Sequence, residues 1–297
     1  MYIESYSWIY DEKGKMQYLD NFIKKFPKFE KAWIVKAETY HDQAKDTSDA
    51  STKKAIKCLE KALKINPESI GALELIGIIY LSIYSDTPKE KPIATSYKKK
   101  ALNYYDRIIE LEPDNISAWQ NKAMIFGETS YENKNDLQKE IEVTNKLIEL
   151  EPDNPVHWYD KIYLLERQKE FEEALYVSEE AIEKFPQPTR NWEKTEKIEL
   201  EKREVYGSYY FYNIKDIWKN KVICLKEIGE IQKALDFIEE ALSVNNEWIQ
   251  MWELKIKTLM ERGYYEEALE ACGEAEDIIP GPSLLSSLRK EIEEELY

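Results

Sequence analysis

Residues 155–188 read PVHWYDKIYLLERQKEFEEALYVSEEAIEKFPQP, and this stretch predicts two amphipathic helices in succession. In its first half Trp158, Ile162 and Leu165 recur at intervals of four and three residues, so they share one helical face. The same period continues through the second half, from Phe171 to Ile182. One such pair is too thin to bury both of its apolar stripes, which predicts that several pairs stack on one another.

The spacing of this stretch recurs along the chain. A proline stands six residues before a tryptophan in four places, and Pro67 stands in the same relation to Leu73. The four pairs are Pro27 and Trp33, Pro113 and Trp119, Pro152 and Trp158, and Pro186 and Trp192. An alanine stands twelve residues before each of four repeat prolines, at Ala55, Ala101, Ala174 and Ala268. The pattern predicts a first helix with Trp, a second helix whose small Ala allows close approach, and a Pro that ends it.

This pattern resembles the tetratricopeptide repeat family, whose repeats carry Trp, Leu-Gly and an aromatic on the first helix and Ala on the second. The distances from Trp158 to Trp192 and from Trp218 to Trp252 equal the family's 34-residue period. Leu73, Ile76, Gly77 and Tyr80 supply the full first-helix signature, and residues 263–268 supply the turn and the alanine. The resemblance implies an all-α fold, a right-handed α-solenoid of helix pairs.

The repeats divide the chain as a single solenoid domain. We expect a partial repeat at 1–27, full repeats at 28–69, 70–115, 116–154, 155–188, 213–248 and 249–282, an irregular repeat at 189–212, and a capping helix at 283–297. Trp192 and Trp218 are only 26 residues apart, which predicts a distorted repeat or a break in the superhelix there. Longer spacings in the first three full repeats predict projecting loops near residues 43–53, 85–98 and 127–136.

Charge and cysteine content exclude several functions. Lys and Arg number 42 against 58 Asp and Glu, a formal charge of −16, which argues against nucleic acid and favours a basic protein or peptide as partner. Three cysteines, at Cys58, Cys224 and Cys272, predict buried thiols in a reducing compartment rather than disulfides or a zinc site. No apolar run is long enough to span a membrane, so we expect a cytoplasmic protein.

The resemblance implies that first helices line a concave groove that binds a partner peptide or helix. Helical spacing selects residues that lie off the packing seam: Gln120, Met124, Tyr159, Tyr163, Lys219 and Ile223. The adjacent Asn121 and Asn220 are included with them. Tyrosine and asparagine suit an extended peptide, because Tyr offers a rigid surface and Asn bonds backbone amides. The tract around Tyr209, Tyr210 and Tyr212 is a candidate aromatic patch, although packing is the favoured interpretation.

No pattern indicates catalysis, a metal site or a cofactor. The two histidines, His41 and His157, fall in different repeats, and no phosphate-binding glycine loop or paired nucleophile is present. We therefore expect a non-catalytic interaction scaffold. Two alternatives stay open: a component similar to the α-subunit of protein prenyltransferases, whose Trp-x-x-Arg repeats resemble the Trp-x-x-Lys seen here, and a self-assembling structural homo-oligomer.

Overall fold

A computed structural model describes residues 12–185, 187–188 and 209–296. The described chain is all-α, and its fourteen helices are α1 (Glu12–Lys25), α2 (Glu30–Asp42), α3 (Ala50–Ile65), α4 (Ile70–Asp86), α5 (Pro92–Leu111), α6 (Ile116–Ser130), α7 (Lys134–Leu150), α8 (Pro155–Gln168), α9 (Phe171–Lys184), α10 (Tyr209–Glu227), α11 (Ile231–Val244), α12 (Ile249–Glu261), α13 (Tyr265–Ile278) and α14 (Ser283–Leu296). The chain forms two compact units, Met1–Val143 and Thr144–Tyr297.

Within each unit the helices stack in chain order, as in an α-solenoid. In the first unit α2 packs on α3 and α4 on α5, and the first helices α2, α4 and α6 contact one another in turn. In the second unit the pairs are α8 with α9, α10 with α11, and α12 with α13, and α14 covers the last pair. The first helices α8, α10 and α12 again form a row.

The predicted alanines lie where helices approach most closely. Ala55, Ala101, Ala174 and Ala268 have no exposed surface. The first-helix Gly77 has the same role from the opposite side: a Cβ at this position would lie 3.0 Å from Cζ of Tyr105 on α5. A larger side chain at any of these positions would separate the two helices of a pair.

The spacing between proline and tryptophan has a direct structural cause. The indole Nε1 donates a hydrogen bond to the carbonyl oxygen six residues earlier, at 2.9 Å from Trp119 to Pro113 and 2.9 Å from Trp158 to Pro152. Trp252 makes the same bond to Asn246 at 2.8 Å, because the bond requires a carbonyl and not a proline. The tryptophan therefore fixes the turn that enters each first helix.

The lysine three residues after the tryptophan is also structural. Lys122 lies over the Trp119 ring, 5.0 Å from its centroid, and its Nζ is 2.7 Å from Asp106 on the preceding helix. Lys255 repeats this arrangement with Trp252 at 5.0 Å and Glu239 at 2.8 Å. These lysines connect the first helix of one repeat to the second helix of the repeat before it.

Two of the three predicted long loops are wrong. Helices take up the extra residues: α4 has 17 residues and α5 has 20, against 14 for each of α8 and α9. Ala94, inside the predicted loop, and Tyr84, directly before it, are buried, so apolar contacts extend both helices. The predicted third loop shortens to residues 131–133, whereas residues 43–49 do form a connection between α2 and α3.

The predicted irregular repeat falls mainly outside the described residues. Its last residues, 209–212, belong to α10, which packs directly against both α8 and α9. This is the position that the first helix of the next repeat would occupy. Within the second unit, the pair at 209–248 therefore follows the pair at 155–184 without an intervening described helix.

Candidate functional site

The predicted groove residues of the second unit lie on the neighbouring helices α8 and α10. On α8 the rings of Tyr159 and Tyr163 stack with centroids 6.3 Å apart and planes 14° from parallel. The guanidinium carbon of Arg167 lies 5.7 Å from the Tyr163 ring centroid. A spacing of four residues places successive side chains on one helical face, which explains this ordered column. We call Tyr159, Tyr163 and Arg167 the α8 column.

The α10 residues differ from one another in accessibility. Lys219 forms an ion pair with Asp216 one turn earlier, with 2.7 Å between Nζ and Oδ1, and Ile223 is half-buried. Asn220 is only 8 % exposed, so it belongs to the packed side of α10. Of the three predicted groove residues on α10, Lys219 and Ile223 are partly exposed and could contact a partner.

The predicted residues of α6 belong to the first unit. Gln120 and Met124 are exposed on this helix. The Asn121 amide donates to the Ser117 carbonyl at 2.8 Å, a bond within its own helix. One of its two amide hydrogens is therefore already used, which leaves the other hydrogen and the carbonyl oxygen for contacts with a ligand.

The candidate aromatic patch is described only at one end. The side chains of Tyr209 and Tyr210 lie outside the described part, whereas Tyr212 on α10 is 65 % exposed. An exposed tyrosine at this position does not fill the core. The packing interpretation that the sequence favoured therefore does not hold for Tyr212.

A half-buried acid that the sequence did not single out, Glu166, lies between α8 and α10. The Cys224 thiol donates to Oε1 of Glu166 at 3.5 Å. The pKa of Glu166 rises from 4.5 to about 7, chiefly because burial disfavours the charged carboxylate; the bond from the Cys224 thiol opposes this rise, and the nearby Glu227 carboxylate adds to it. Glu166 stands four residues after the seam residue Ile162, and this spacing is the signal that could have placed it inside.

The three cysteines lie in the helical core, as predicted. Cys58, Cys224 and Cys272 are all buried, and burial raises the pKa of each thiol. A raised pKa keeps the thiol protonated and poorly nucleophilic at neutral pH. These side chains fill space between helices.

His157 takes part in a local turn network. Its Nε2 lies 2.8 Å from Oε2 of Glu151 and 3.2 Å from the amide nitrogen of Asn154, which also caps α8. Among the described residues, no group of three His, Cys, Asp or Glu side chains is placed to hold a metal ion. In the same part of the chain, no helix is long and apolar enough to cross a membrane.

Two family models match short parts of the chain. The tetratricopeptide repeat model matches residues 49–69, which contain α3 and the turn into α4. The protein prenyltransferase alpha subunit repeat model matches residues 99–128, from α5 through most of α6. Together with the stacked helix pairs and the buried alanines, the first match supports a repeat architecture of this type. The helix pairs are similar to tetratricopeptide repeats.

Solved structures with this helical architecture resemble the repeat protein at low identity. The structure of Naa15/Naa10 bound to HypK-THB matches with a TM-score of 0.57 and 16 % identity over 95 % of this chain. This chain spans about a third, 36 %, of the length of that one. YrrB, described as a TPR protein with an unusual peptide-binding site, matches over 78 % of this chain and 97 % of its own, with 16 % identity and a TM-score of 0.46. A tetratricopeptide repeat protein from Parabacteroides merdae matches over 95 % and 93 % of the two chains, with 13 % identity and a TM-score of 0.43.

Proposed function

We propose that this repeat protein is a non-catalytic scaffold that binds an extended peptide or a helix of a partner protein on the row of first helices. The α8 column is the observation that carries the proposal. Its three half-buried side chains follow one another along one face of a first helix, and the adjacent α10 adds the Lys219–Asp216 ion pair. The indoles and lysines of the repeat signature are engaged in the turns and do not form this surface.

The chemistry of the surface suits a peptide backbone flanked by apolar groups. Tyrosine offers contact area with few rotamers to freeze, and the Arg167 guanidinium beside the Tyr163 ring extends that surface. The formal charge of −16 favours a partner that carries Lys or Arg, since opposite charge increases the rate of association. We also propose a cytoplasmic location, which fractionation of the source cells would test.

The double substitution Tyr159→Ala/Tyr163→Ala tests the binding site. We expect it to weaken binding of the captured partner by about tenfold, because removing rigid aromatic anchors typically costs more than 1 kcal/mol. The partner is isolated by pull-down with the wild-type chain, and affinity is then measured by calorimetry. Thermal unfolding establishes that the double variant is folded.

A matched control is Tyr176→Ala, which removes an exposed tyrosine from the second helix α9 of the same repeat. This change should leave affinity unaltered. Equal affinity of the wild-type chain and the double variant would contradict the proposal, as would an equal loss from Tyr176→Ala.

The match to prenyltransferase repeats at residues 99–128 favours a second function, a component of a lipid-transfer enzyme complex. Such a chain should copurify with a catalytic subunit and support transfer of a prenyl group to a peptide. The third hypothesis, self-assembly, predicts a mass by light scattering above the 35.2 kDa of one chain.

A further inference from the structure

The turn between α1 and α2 differs in chemistry from the other turns that lead into first helices. Residues 24–31 read KKFPKFEK and contain four lysines and two phenylalanines. Phe26 is 43 % exposed, Phe29 is 40 % exposed, and all four lysines are exposed. We call Phe26, Phe29 and these four lysines the basic aromatic corner.

The corner has the same backbone connection as the other turns. The indole of Trp33 donates to the Pro27 carbonyl at 3.0 Å, as Trp119 does to Pro113 and Trp158 does to Pro152. The sequences at those two other turns are acidic, EPDN at 112–115 and again at 151–154. The fold therefore does not require the phenylalanines and lysines at this turn.

Phe29 replaces a residue that caps the helix elsewhere. At the equivalent positions the Asn115 side chain accepts a hydrogen bond from the Ala118 amide, and the Asn154 side chain accepts one from Val156. Phe29 is the N-cap of α2 and makes no such bond. An asparagine N-cap is worth about 1 kcal/mol over an apolar residue, so Phe29 weakens the start of α2.

The two exposed rings are held in place by a third. The centroid of Phe22 lies 5.0 Å from that of Phe26 and 5.5 Å from that of Phe29, and Phe22 is half-buried. The Lys25 ammonium lies 5.4 Å from the Phe26 centroid. The one acid of the segment, Glu30, accepts hydrogen bonds from Asn66 and Ser69, so its carboxylate is engaged by the turn before α4.

We propose that the basic aromatic corner docks an acidic segment of a partner protein that carries apolar anchors. Fixed aromatic rings surrounded by flexible lysines bury apolar side chains while the lysines meet flanking carboxylates. This surface lies in the first unit and selects charge opposite to that expected for the α8 column, so it goes beyond the proposed function.

The net charge of the chain favours a short acidic peptide over an anionic membrane as the ligand of the basic aromatic corner. A short acidic peptide interacts mainly with charges within a Debye length of about 8 Å at physiological salt, and residues 24–31 carry four lysines against one glutamate. A bilayer is far larger than the corner and also faces the remaining surface of a chain whose formal charge is −16. An anionic bilayer therefore repels the chain as a whole, whereas the corner attracts a short acidic peptide.

Fluorescence anisotropy with a designed probe tests the proposal. The probe is a short labelled helix with leucines at i, i+3, i+4 and i+7 and glutamates elsewhere, and its control keeps the glutamates but has serines in place of the leucines. We expect the acidic probe to bind the full chain and the serine control to bind much more weakly. We also expect the binding to weaken at high salt. No binding of the acidic probe, or equal binding of both, would overturn the proposal.

Phe29→Asn separates binding from folding. We expect it to weaken binding of the acidic probe by about fivefold while the unfolding temperature stays the same or rises, because asparagine can cap α2 as Asn115 caps α6. Lys25→Glu/Lys28→Glu should weaken binding at least as much. The Tyr159→Ala/Tyr163→Ala variant should bind the probe normally, so failure of this proposal and failure of the proposed function are distinguishable.

Three other results would also overturn it. These are unchanged probe affinity in Phe29→Asn, preferential capture of vesicles of phosphatidylserine and phosphatidylcholine in equal parts over the probe, and a concentration-dependent rise in mass that Phe29→Asn abolishes. The second would assign the corner to a membrane surface, and the third to another copy of this chain.

Discussion

Tyr105→Ala should destabilise the first unit by about 3 to 5 kcal/mol, the usual cost of removing a large buried aromatic side chain. Tyr105 is fully buried on α5, and its ring lies against Gly77 of α4. Tyr105→Phe should cost nothing or stabilise slightly, because the Tyr105 hydroxyl has no hydrogen-bond partner among the described residues. The free energy of unfolding in urea, followed by circular dichroism, measures both effects.

The contact with Gly77 allows a stricter test. Gly77→Ala alone should destabilise by about 1 to 2 kcal/mol, since the new methyl group would press on the Tyr105 ring. In the Tyr105→Ala background the same change should be neutral or favourable, because the opposing ring is gone. Met124→Ala, at an exposed position of the same unit, serves as control and should change stability by less than about 0.5 kcal/mol. Additive effects of the two substitutions would exclude the proposed packing.

Glu166→Gln should stabilise the second unit at alkaline pH and have little effect near pH 4.5. Burial raises the pKa of Glu166 from 4.5 to about 7 in the folded chain. Between these values the folded chain holds a proton that the unfolded chain has released, so stability falls as the pH rises through this window. The full difference would be about 3 kcal/mol, and solvent screening of this partly exposed group reduces it to about 2 kcal/mol.

Urea denaturation of both chains at pH 5 and pH 8 measures this effect. The advantage of Glu166→Gln should grow between the two pH values and then remain constant at higher pH. Glu172→Gln, at an exposed position on α9, is the control and should show a much smaller change in the difference from wild type between pH 5 and pH 8. A difference between wild type and Glu166→Gln that does not depend on pH would show that the carboxyl is solvated in the folded chain.

Local spacing accounts for the features that could be predicted. The bond from Trp119 to Pro113 closes within six residues, and the close approach at Ala101 recurs at Ala55, Ala174 and Ala268. Both features therefore leave a regular pattern in the sequence. Helical period also predicted that Tyr159 and Tyr163 share a face, and their rings stack. Their role in binding stays a prediction, because a helical wheel gives the direction of a side chain and not its ligand.

Features that depend on contacts between distant residues could not be predicted in this way. Asn220 is buried, and Glu166 is half-buried, in the part of the fold where α10 packs directly against α8. The contact from Cys224 to Glu166 joins residues that are 58 positions apart in the sequence. Apolar contacts likewise extended α4 and α5 into the predicted loop, which shortens to residues 87–91. The sequence by itself determined the repeat unit, its turns and the faces of its helices, since these follow from bonds between near neighbours. Only the tertiary structure decided which polar side chains are enclosed and which remain available to a partner, because burial depends on the helix that packs alongside.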